Sequence, residues 1–116
     1  MDQQEHDRRS LAWHRLVVQH MQGNPALLER SRITLARWMA GGPAPNRLYL
    51  AEWKAALDKG IGAVAQLALA EDEHACALRQ CSPISCQMSN EERWAFWRQW
   101  RASERTSTTP RLKPGA

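Results

Sequence analysis

The chain has 116 residues, with sixteen Lys and Arg against twelve Asp and Glu for a formal charge of +4, and 43% of its residues are hydrophobic. That length holds one small core, excluding a TIM barrel or a dinucleotide-binding fold joined to a substrate domain, while the apolar content excludes a wholly disordered chain. The charge is uneven: residues 1–7 carry −3, residues 8–47 carry +6 with Glu29 as their one acid, residues 48–80 carry −2, and residues 81–116 carry +3.

The opening MDQQEHDRRS is acidic and amide-rich where a secretory signal would be basic and then apolar, so residues 1–8 read as a polar N-terminal segment. Over about 9–22, Leu11, Val18 and Met21 recur at helical spacing, and Trp13 and Val17 widen the stripe. Gly23 stops this helix. Asn24 is suited to cap the next one, and Pro25 fits a first helical position because no amide partner is needed there. The second helix should cover 25–40, with Leu28, Leu35 and Met39 on its apolar face and Leu27, Ser31 and Trp38 on the shoulder. The short connection favours an antiparallel pair.

Gly41-Gly42-Pro43-Ala44-Pro45-Asn46 is a connector, since no GKS or GKT follows and the prolines remove amides that a phosphate would need. A third helix is expected over 48–59 through Leu50, Trp53 and Leu57. Gly60 either ends it or kinks it into the apolar run Ile61 to Ala70, which is too short to span a bilayer. Residues 71–80 read as a helix opening on Glu71-Asp72-Glu73, where acids favour the positive end of the dipole, and Ser82-Pro83 breaks it. Ser89-x-x-Glu92 is a capping box for a last helix over about 90–102, which carries Trp94, Phe96, Trp97 and Trp100. Residues 103–116 have no sustained periodicity and read as a flexible basic tail. The expected fold is therefore all-α: a compact bundle of five or six short helices, with one domain over 9–102.

Candidate chemistry is sparse. His74, Cys76, Cys81 and Cys86 are suitable zinc donors, yet neither C-x-x-C nor H-E-x-x-H occurs, so ordinary thiols are expected and no metal or other cofactor. An odd cysteine count fits a reducing cytoplasm. His6, His14 and His20 lack a visible orienting partner, and no serine triad, cysteine–histidine pair or paired-carboxylate site is recognisable. No catalytic residue is assigned.

Two surfaces compete as binding sites. In the last helix, tryptophans alternate with Arg93, Arg98 and Arg101, a composition favoured where proteins meet. Trp97 and Trp100 are the expected contacts and Arg98 and Arg101 the rim, with Trp94 assigned to the core. In the N-terminal half, Arg8, Arg9, Arg15, Arg30 and Arg37, extended by Arg32, form an alternative phosphate-binding set, although no helix-turn-helix, zinc finger or RNA motif accompanies them. Membrane contact is not expected, because Glu91-Glu92 and the short length weaken an interfacial helix.

Several scattered stretches between residues 11 and 97 carry a resemblance. Leu11-x-Trp13-His14-Arg15-Leu16, Asn24-Pro25-x-Leu27-Leu28-x-Arg30, Leu35-x-Arg37-Trp38, Glu52-Trp53, Leu78-Arg79-Gln80-x-Ser82-Pro83 and Glu91-Glu92-Arg93-Trp94 resemble the helical region of small bacterial toxin–antitoxin or excisionase-like regulatory proteins. Members often place a separate DNA-binding segment ahead of this region, whereas here the sequence opens almost directly on its first long helix. Cys81 and Ile84-Ser85-Cys86 also depart from the plainer residues expected there. The resemblance implies a regulatory or partner-binding protein and assigns no catalytic residues. The leading expectation is a non-enzymatic interaction domain for a protein partner or a second copy; the alternatives are a nucleic-acid-associated protein and a small enzyme or metal-binding protein using histidine and cysteine.

Overall fold

The computed structural model describes residues 3–42 and 44–112, with backbone alone from residue 104 onward. Six helices follow one another: α1 Gln3–Gly23, α2 Pro25–Ala40, α3 Arg47–Lys59, α4 Ile61–Leu69, α5 Glu73–Gln80 and α6 Asn90–Leu112. The described residues contain no strand. No helix among them is long and apolar enough to cross a membrane.

Local chemistry sets most boundaries. Asn24 is extended and its side chain accepts from the Ala26 amide at 3.2 Å, while Pro25 occupies the first turn of α2. Asp72 caps α5 by accepting from the Ala75 amide at 2.8 Å. Gly60 separates α3 from α4 as two helices: its φ of 120° is a conformation that side chains with a Cβ rarely adopt.

Two boundaries differ from expectation. The helix expected from residue 9 begins at Gln3, because a polar helix can be held by its own side chains: Gln3 Nε2 donates to Asp7 Oδ1 at 3.0 Å and Arg9 donates to His6 Nδ1 at 3.2 Å. These contacts leave no apolar periodicity to read. Likewise α6 continues past the expected end near 102 to Leu112; residues 113–116 lie outside the described residues.

Helices α1–α5 surround one core built from Val17, Val18, Met21, Leu27, Leu35, Leu50, Trp53, Leu57, Val64, Ala68 and Leu78, with Ile84 and Met88 closing it from the segment before α6. Trp53 is fully buried, and its indole N–H donates to the Leu78 carbonyl at 2.9 Å, so the largest side chain of the core leaves no polar atom unsatisfied. In α2 the buried face is Leu27, Ser31 and Leu35, four residues apart. It is rotated from the expected Leu28–Leu35–Met39 face: Ser31 reaches the core because its hydroxyl donates to the Leu27 carbonyl at 2.8 Å, while Trp38 and Met39 remain exposed.

Arg79 is buried without a carboxylate. Its guanidinium instead donates to the Ala68 and Ala70 carbonyls at 2.8 and 2.7 Å, capping the negative end of α4.

Candidate functional site

Helix α6 stands apart from this core. None of its described side chains is fully buried, and it leans on α1 through the Trp13–Phe96 ring pair and the Arg9–Trp97 contact. The expected capping box starts it: the Ser89 amide donates to Glu92 Oε1 at 3.0 Å, and the Glu92 amide donates to Ser89 Oγ at 3.1 Å. The Ser89 amide and then its hydroxyl hold the Glu92 carboxyl below its ordinary range, with a smaller contribution from His20. Glu92 Oε2 lies 3.4 Å from His20 Nδ1 and so joins the start of α6 to the end of α1.

One turn further on, Phe96 meets Trp13 of α1 edge to face, with centroids 5.1 Å apart. Trp13 is itself fixed, donating its indole N–H to the Ser85 carbonyl at 3.2 Å. Phe96 also stacks on Trp100 at 6.2 Å and an interplanar angle of 21°. Beside it, the Arg9 guanidinium lies 4.3 Å from the centroid of Trp97.

Two hollows flank Trp97. The first, about 240 Å³, lies between α1 and α6 and is lined by His6, Arg9, Ser10, Trp13, Arg93, Phe96 and Trp97. The second, about 320 Å³, lies on the outer side of α6 and is lined by Asn90, Arg93, Trp94, Trp97 and Arg101. Arg93 and Trp97 belong to both, so the hollows form one aromatic and basic patch crossed by a ridge. No acidic residue among the described residues lines either hollow.

The expected contacts distribute unevenly over this patch. Trp97 is its centre and Arg101 borders the outer hollow. Trp100 is half-buried behind Phe96, and Arg98 is exposed; neither lines the two hollows. Trp94, assigned to the core from sequence, is 60% exposed: the first turn of α6 is held by its cap and by His20, and no helix among the described residues covers its outer side. Trp13 and Phe96 were not expected as members, Arg9 belonged to the alternative arginine set, and Arg93 was placed on this helix surface without being chosen as a contact. The spacing Arg93–Trp97–Arg101 marks one side of α6, but its meeting with α1 joins residues far apart in sequence and leaves no local signal.

The alternative arginine set is dispersed. Arg9 belongs to the patch just described, and Arg15 lies 4.0 Å from Glu71. Arg30 borders a separate hollow of about 400 Å³ with His20, Cys86 and Glu92, while Arg8 and Arg37 are exposed on α1 and α2. Arg32 is engaged by the Leu57 carbonyl at 2.7 Å and by Glu29 at 3.1 Å.

The histidines and cysteines do not converge on a metal geometry. His74 Nε2 sits 2.8 Å from both carboxylate oxygens of Glu52, Cys76 accepts from Arg79, Cys81 closes the end of α5, and Cys86 faces the third hollow. Among the described residues no three His, Cys, Asp or Glu side chains are grouped to hold a metal ion, and the three thiols are unpaired. Burial raises the Cys81 thiol above its ordinary pKa, so it stays protonated and is a poor nucleophile.

No protein-family model, curated protein sequence or solved structure matches the chain.

Proposed function

We propose that this protein is an interaction module of a regulatory, antitoxin-like kind, binding a protein partner through the tryptophan–arginine patch of α1 and α6. The observation carrying this reading is the pair of adjoining hollows that share Arg93 and Trp97. Large rings held by their neighbours offer apolar area at little entropic cost, and guanidinium groups around them orient an approaching surface, a combination typical of binding hot spots. The partner-facing set becomes Trp97, Trp94, Arg93 and Arg101, with Arg9 at the inner edge. Trp100 acts behind them by supporting Phe96, and Arg98, exposed but lining neither hollow, is left out of the set.

The test is capture of binding partners on the tagged full-length chain, repeated with Trp97→Ala and Arg93→Glu. The reading predicts a partner lost with both variants while their circular dichroism is unchanged, and size measurement of the purified chain separates a foreign partner from a second copy. Retention of the partner by both variants contradicts it, as does recovery of nucleic acid alone, released by salt.

A further inference from the structure

We infer that the patch between α1 and α6 receives an acidic segment of its partner, seating one bulky apolar side chain in the hollow between Trp13 and Trp97 while flanking carboxylates meet Arg93 and Arg101. This rests on the protein-binding reading above and goes beyond it by giving the partner's chemistry.

Three observations support that choice of occupant. First, the patch is charged with one sign: guanidinium groups border both hollows, and no acid among the described residues lines either. An incoming carboxylate therefore meets planar donors suited to two parallel hydrogen bonds, while an incoming lysine meets repulsion. Second, the inner hollow, about 240 Å³ and walled by Trp13, Phe96 and Trp97, has room for a leucine or phenylalanine side chain. Third, the rings are already engaged. Arg9 lies over Trp97, while Phe96 holds Trp13 at its edge and Trp100 in a stack. Single-stranded nucleic acid binds by stacking its bases on open ring faces, and here Arg9 already covers one face of Trp97 while Phe96 stacks with Trp100. An apolar side chain needs only the walls.

An exposed apolar surface elsewhere offers a contrast. The hollow between α2 and α3, beside Leu35 and Met39, contains Arg32 and Lys54, but Asp58 pairs with both at 3.9 and 2.9 Å. That surface is neutralised from within and has no comparable demand for an acidic partner.

The experiment is selection of a random displayed-peptide library on the full-length chain, followed by fluorescence anisotropy with labelled synthetic copies of the enriched peptides and with labelled oligothymidine. Enriched peptides should combine glutamate or aspartate with one large apolar residue. Replacing their acids by lysine should abolish binding. Arg93→Glu should weaken binding about tenfold, and Trp97→Ala at least about thirtyfold. Both variants are checked for an unchanged unfolding midpoint, and Lys54→Glu, on the other surface, should bind as the parent does. Enrichment of neutral or basic peptides that still depend on Trp97 overturns the acidic occupant and leaves the protein-binding reading standing. Failure of any Trp97-dependent peptide to enrich overturns the inference, and when oligothymidine binds and Arg93→Glu releases it, the protein-binding reading falls as well.

Discussion

Trp53 and Trp94 show how far one residue type divides in its work. Trp53 is sealed among α3, α5 and their neighbours and bonded to the Leu78 carbonyl, whereas Trp94 has most of its ring in water. Removing a sealed indole leaves a cavity and takes one of two N–H donors from the Leu78 carbonyl, which keeps the Cys81 amide, so Trp53→Ala should cost about 3–5 kcal/mol in urea unfolding. Trp94→Ala should change stability by less than about 0.5 kcal/mol, because it opens no cavity. His14 is a second residue of this scale. It is 1% exposed, its Nδ1–H donates to the Ser10 carbonyl at 2.8 Å, and its buried Nε2 has no partner. Burial is the main force that pushes its pKa from 6.5 down to about 4, and Arg79 adds to it against the Ser10 bond. The unfolded chain thus takes up the proton first as pH falls. Stability from this group is complete above about pH 6.5 and declines by up to about 3 kcal/mol toward pH 4, with no further loss below. His14→Met should remove that component, seen as a flatter difference from the parent in urea midpoints across this range. An identical pH profile for the two proteins would contradict the burial of a neutral imidazole.

Among the elements, α6 is held differently from the other five. Its anchors are a capping box, the His20–Glu92 contact and the Phe96–Trp13 edge, with no sealed side chain among those described. Such a helix opens locally before the core unfolds. Ser89→Ala removes the acceptor for the Glu92 amide and should cost about 1 kcal/mol. We expect the loss as faster hydrogen exchange over the first two turns of α6, with the unfolding midpoint of the core unchanged; a matching fall in that midpoint would show α6 to be part of the core's cooperative unit. This element also shows what was legible from sequence. The cap Ser89-x-x-Glu92, Pro25 after Asn24, and Gly60 between two apolar runs each act within a few residues, and each boundary lies where its local chemistry demands. The first two turns of α1 were not legible, because side-chain bonds between polar residues leave no hydrophobic period. Nor was the rotated face of α2 visible, since Ser31 is buried by bonding its own helix, a choice that polarity alone does not reveal.

At the scale of the whole molecule, a five-helix core supports one helix that presents rings and guanidinium groups outward. The longest dimension is 58 Å against 29 and 23 Å, as expected where one long helix extends from a small core. The membership of the candidate site was only half readable for the same reason: Trp97 and Arg101 are marked by spacing along α6, while Arg9 and Trp13 join them through a tertiary contact between the two ends of the chain. Basic charge in the N-terminal half likewise suggests one continuous face, whereas folding turns Arg9, Arg15 and Arg30 toward three different neighbours. The central claim is that partner binding uses the junction of α1 and α6. Hydrogen exchange of the chain with and without its bound partner tests this most directly. Slowed exchange is predicted in the first three turns of α1 and over residues 90–101, with little change in α2 and α3. Slowed exchange confined to the α2–α3 surface around Met39, with α6 unaltered, would contradict it.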